Sequence, residues 1–86
     1  MLKYETGNAL YDAYRKADEA LNLASARLDR ARYGVVQPAE ASARGKEKKE
    51  LNNANQVIAR SLVAIEMARR VLSEMDDIVG DLGDFK

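Results

Sequence analysis

Leu10, Tyr14, Ala17, Leu21, Ala24, Leu28 and Ala31 follow one another at alternating steps of four and three residues. On an α-helix that spacing lines up all seven apolar side chains along one seam; on a strand they would scatter over both faces. Ala13 and Ala20 flank the seam and widen it. The spacing predicts a first helix over about 8–33, with Asn8 as its N-cap and Gly34 just past its end. Gly7 places residues 1–7 outside it as a lead-in.

A second periodic stretch begins at Leu51. Three columns run through it at seven-residue spacing: Leu51, Ile58, Ile65, Leu72, Val79; Ala54, Ser61, Ala68, Met75, Leu82; and Val57, Ala64, Val71, Ile78. Gly80 and Gly83 mark its end. Between the stripes, Val35, Val36, Gln37 and Pro38 read as a break, since proline suits the first turn of a new helix and Glu40 follows within the same turn. The chain is therefore read as one all-α domain, a two-helix antiparallel hairpin of coiled-coil type: helix 1 about 8–33, turn 34–37, helix 2 about 38–79 with a basic solvated start, and an acidic tail 80–86. Gly45 is the weak point in the 38–50 extension.

This division leaves the stripes out of step. If helix 2 folds back from Pro38, its most apolar stretch, Val63 to Val79, runs past the end of helix 1. If the stripes are matched, a connection of about 19 residues is needed, long for a structureless loop. Three columns are also more than one neighbouring helix can cover. Eighty-six residues bury only about 60–65% of their unfolded surface. These considerations predict completion as a helical bundle, by oligomerisation to a dimer or higher assembly or by a helical protein partner. The expected interface comprises Leu10, Tyr14, Leu21 and Leu28 on helix 1, with Ile58, Ile65, Val71, Leu72, Met75, Ile78 and Val79 on helix 2. Tyr4 and Tyr11, seven apart, could form a second aromatic face, while Asn52, Asn53, Asn55 and Gln56 fall mostly off the stripe and read as surface.

Charge sums to zero but is unevenly placed. Arg27, Arg30, Arg32, Arg44, Lys46, Lys48 and Lys49 outweigh Asp29, Glu40 and Glu47 in a basic elbow. Glu74, Asp76, Asp77, Asp81 and Asp84 against Lys86 make an acidic end, read as lying at a helix C-terminus where the macrodipole disfavours it. The two regions are candidate electrostatic contacts: the elbow for phosphate or an acidic protein, and Asp76, Asp77 and Asp81 for the elbow of a second subunit. No aromatic interleaving accompanies the basic residues, so nucleic acid ranks behind protein as a partner.

Chemistry is sparsely supported. Without histidine or cysteine the chain lacks the commonest general base, metal ligand and thiol chemistry. The acidic spacing does not fit a D-x-D-x-D-G calcium loop. There is no nucleophile–base pair or glycine-rich phosphate loop, and the expectation is a non-enzymatic chain with no cofactor. No apolar run is long enough to span a membrane, and no signal-peptide core opens the chain, so a soluble cytoplasmic protein is expected, with export lacking a cleaved signal or virion incorporation as other routes.

The layout is similar to small helical hairpins such as the plasmid copy-number regulator and the secreted hairpins of bacterial export systems. Where one such group carries Trp-x-Gly at its corner, this chain has Arg32-Tyr33-Gly34. The resemblance is one of shape and implies a hairpin, with no residue-level function attached. The function expected from the residues is an interaction module of assembly, accessory, chaperone or inhibitor type; the alternative is a small nucleic-acid-associated regulator using the basic elbow at 27–49.

Overall fold

A computed structural model describes residues 3–82, which form an all-α helical hairpin about 61 Å long and 16–18 Å across. The first arm contains α1 (Lys3–Ala31), one widened π-helical turn (Arg32–Val36) and α2 (Gln37–Ser42). The second contains α3 (Gly45–Leu72) and α4 (Met75–Leu82). Among the described residues there is no strand.

The expected turn at 34–37 is not where the chain reverses. Helix runs through it, and the reversal falls at Ala43 and Arg44, both in extended backbone. The reason lies in how Gly34 and Pro38 are spaced. In a regular α-helix the residue at 38 donates its N–H to the carbonyl four residues back, at Gly34; proline has no N–H, and its ring collides with that carbonyl. The π-turn accommodates the defect. The Gln37 N–H bonds back to the Arg32 carbonyl, five residues away, and the helix continues. The two punctuation signals thus produce one bulge in a long arm and no corner.

The corner is built seven residues further on. The Ala43 N–H donates to the Glu40 carbonyl at 3.3 Å, closing the last turn of α2. Gly45 then takes φ +60°, left-handed backbone that suits glycine and strains other residues. Ala43 and Val36 are buried beneath this corner. At the opposite, open end Val79 and Gly7 are buried.

The later reversal removes the mismatch of stripes. The arms span 3–42 and 45–82, nearly equal lengths, and residues whose numbers add to about 87 lie side by side. Asp18 beside Arg69 shows this directly, with the carboxylate accepting from the guanidinium at 3.3 Å. Leu10–Ala31 therefore lies beside roughly 56–77, and both stripes are matched. An overhang of Val63–Val79 does not exist, and a partner is not needed on that account.

Three smaller expectations also change. The helix begins by Lys3, so Asn8 is an interior residue and 3–7 is no lead-in. Gly80 is helical, and Gly83 and Asp84 lie outside the described residues. Asn55 is half-buried, whereas Asn52, Asn53 and Gln56 are exposed as read.

Candidate interaction surface

Two helices cannot enclose a core. Among the described residues the buried apolar side chains are Val36, Ala43 and Val79, and no large side chain is completely sealed from solvent. The accessible surface is 6487 Å², against about 5,000 Å² for a compact folded chain of this mass. The excess is larger than the roughly 800 Å² that each partner buries in a standard protein–protein interface.

With one exception, Ala68, the sequence columns sort onto the two sides of the second arm. Leu51, Ile58, Ile65 and Leu72 are half-buried and Val79 is buried, all facing the first arm; Ala54, Ser61, Met75 and Leu82 are half-buried beside them, while Ala68 of the same column is exposed. The third column is left uncovered, with Val57 52%, Val71 65% and Ile78 48% exposed. Val63 and Met67, each 60% exposed, widen this outer strip. Of the expected interface residues, Leu10, Tyr14, Leu21, Leu28, Ile58, Ile65, Leu72, Met75 and Val79 are at least partly covered within the hairpin, and Val71 and Ile78 remain on the outside. Val63 and Met67, four residues apart on α3, belong to none of the three seven-residue columns.

The strip carries a hollow of about 370 Å³ between α3 and α4, lined by Val71, Leu72, Glu74, Met75 and Ile78. It exists because the helix breaks at Ser73 and Glu74. The Ser73 hydroxyl donates to the Arg70 carbonyl at 2.6 Å, and the Glu74 N–H bonds to the Val71 carbonyl, tightening the turn. Nothing in the seven-residue periodicity marks this joint, since the columns run through it unbroken.

The joint also changes the electrostatics of the acidic end. Asp76 and Asp77 stand in the first turn of α4, where the helix dipole favours carboxylates. The expectation that both sit unfavourably at a helix C-terminus is thereby corrected; Asp81 does lie in the last turn of α4. Asp76 is also engaged, its Oδ2 accepting from the Tyr14 hydroxyl at 3.1 Å. The Tyr14 phenol is held above its ordinary pKa, chiefly by desolvation against its neighbours, then by the hydrogen bond to Asp76 and the negative charges of Asp76 and Asp18. Tyr11 packs edge-on against Tyr14 with ring centroids 6.3 Å apart. The side chain of Tyr4, proposed to share a face with Tyr11, lies outside the described residues.

The basic elbow is divided by the shifted corner. Arg44, Lys46, Lys48 and Lys49 are exposed at the tip of the hairpin. Arg27 and Arg30 are exposed on α1, 14 to 17 residues before the reversal, hence about 20–25 Å down the arm. Arg32 turns inward. Its guanidinium stacks 5.4 Å from the Tyr33 ring centroid, and its Nε is buried without a hydrogen-bond partner. Asn55, which the register places opposite, has its Oδ1 in the same condition. The tip and the first-arm arginines thus form no single patch.

Among the described residues no group of three or more acidic, histidine or cysteine side chains is placed to hold a metal ion, and no helix is long and apolar enough to cross a membrane. Comparison with known protein families, with curated proteins and with solved structures finds no match to this chain.

Proposed function

We propose that this protein is a non-enzymatic interaction module, and that the outer apolar strip of α3 and α4 is its working surface. The observation that supports this reading is the exposure of Val57, Val63, Met67, Val71 and Ile78 along one side of one arm. A contiguous apolar strip on a rod that can bury so little elsewhere favours coverage by another protein surface. The reading places the self-association or docking expected from the heptads on the third column of helix 2, because the other two columns, apart from the exposed Ala68, are turned toward the first arm. Assembly, accessory, chaperone and inhibitor roles all use such a surface. The test is site-specific photo-crosslinking from position 71 in the native host. Covalent capture of a protein at that position, lost when Ile78 is replaced by lysine, supports the reading; absence of any adduct overturns it.

The alternative, phosphate or nucleic-acid binding, is favoured by one observation only. Arg44, Lys46, Lys48 and Lys49 are exposed together at the hairpin tip, and none forms an ion pair with another described residue. Binding to duplex DNA or RNA in low salt, falling steeply with added salt and abolished by reversing the three lysines to glutamate, is its required signature.

A further inference from the structure

The outer strip is polarised along its length. Val57, Ala64 and Val71 lie within one band of α3, since each seven-residue step returns to within about 20° of the same direction, and across the joint Ile78 lines the same hollow as Val71. Arg60 follows Val57 by three residues, and Glu74 follows Val71 by three, so both charges stand on the same side as the column. Both are exposed. Lys46 and Lys49 lie beyond the corner-side end of the strip, and Asp81 lies beyond the other. Glu50, seven residues before Val57, and Arg70, three after Met67, are exposed on this face as well, Arg70 being paired with Glu66 at 3.4 Å. With them counted, Lys46, Lys49 and Arg60 still outweigh Glu50 toward the corner, and Glu74 and Asp81 outweigh Arg70 toward the open end. The face is thus net basic toward the corner, apolar through its middle and net acidic toward the open end.

We infer that this face docks on the same face of a second copy running antiparallel, forming a two-fold dimer with a four-helix cross-section. The inference rests on the reading of the outer strip as the working surface and names its occupant. Charge decides the direction. With Val57 set opposite Ile78 of the second copy, Arg60 of each copy faces Glu74 of the other, twice over by symmetry. A parallel pairing puts Arg60 against Arg60 and Glu74 against Glu74, which like-charge repulsion penalises. The antiparallel arrangement also brings the lysine-rich turn at 46–49 toward the acidic open end. Arg60 falls opposite the hollow at the α3–α4 joint, whose rim carries Glu74. Its aliphatic stem fits that apolar space while its guanidinium reaches the carboxylate. The apolar column spans 21 residues, about 32 Å, leaving the two-fold axis beside Met67.

The chain has no cysteine, so introduced thiols report direction without interference. The full-length chain is first sedimented at tens of micromolar, where a mass twice 9.5 kDa is expected. Under mild oxidation Met67→Cys should give a disulfide dimer, because the residue lies at the axis. Val57→Cys should not, because its counterpart lies about 30 Å away in the antiparallel pair. Arg60→Glu and Glu74→Arg should each weaken the dimer about tenfold or more, and the double exchange should restore it. Cross-linking through Val57→Cys, or failure of the double exchange to restore, overturns the antiparallel pairing. A mass of 9.5 kDa for the unaltered chain overturns the second copy as occupant. If photo-crosslinking at position 71 then captures a different protein, the reading of the strip as an interaction surface stands; if it captures nothing, that reading falls as well.

Discussion

Asp18 on α1 and Arg69 on α3 are 51 residues apart in the chain and meet at 3.3 Å. With the hydrogen bond from Tyr14 to Asp76, this pair ties the first arm to the second on either side of the α3–α4 joint. Both contacts are solvent-accessible, so they set alignment more than they supply stability.

Arg69→Ala should therefore lower stability by no more than about 1 kcal/mol. Denaturant titration followed by circular dichroism checks this, and the effect should shrink as salt is raised. A loss of several kcal/mol would mean that the pair anchors the fold rather than its alignment.

The Tyr14 phenol gives a pH signature. Its pKa is raised in the folded chain, so the stability it contributes is complete below about pH 10, where free tyrosine ionises, and is lost as pH rises through the folded value. Ultraviolet titration should show a tyrosine phase above the ordinary range of a free phenol, and that phase should vanish in Tyr14→Phe.

Gly34 and Gly45 should respond oppositely to alanine. Gly34 lies in the helical first arm, where an added Cβ meets nothing closer than Arg30 Cγ at 4.0 Å. Gly34→Ala should stabilise by about 0.5–1 kcal/mol. Gly45 has open space around it but carries φ +60°. Gly45→Ala should destabilise by about 1–2 kcal/mol, through backbone strain alone. Thermal melts of the two variants at matched concentration decide both signs.

Val35 and Val36 are neighbours with opposite fates. Val36 is 6% exposed beneath the corner and Val35 is 63% exposed. Val36→Ala should cost about 1–3 kcal/mol, from lost transfer energy and the space left behind. Val35→Ala should stay within about 0.5 kcal/mol of the parent. Equal effects would place the corner elsewhere.

Much of the candidate surface was legible before the fold. A third column at Val57, Ala64, Val71 and Ile78 exceeds what one neighbouring helix covers, and it is the column left uncovered. Its extension through Val63 and Met67 was not legible, nor was the hollow beside Glu74. The hollow depends on the Ser73–Glu74 joint, a two-residue change in backbone that side-chain periodicity does not register, whereas Val63 and Met67 lie within α3 and simply belong to none of the three columns. The same joint moves Asp76 and Asp77 from the end of one helix to the start of another, reversing their relation to the helix dipole.

The helices and their apolar columns are properties of the sequence itself, because seven-residue spacing of Leu, Ile, Val and Ala satisfies helical geometry whatever the rest of the chain does. The place of reversal is not. Gly34 and Pro38 signal a corner locally, yet a π-turn lets the helix pass them. Gly45 then permits a corner that divides the described chain almost equally. Only that corner lays both apolar stripes against each other along their full length, and burial of the two stripes is a property of the pair that no local signal contains.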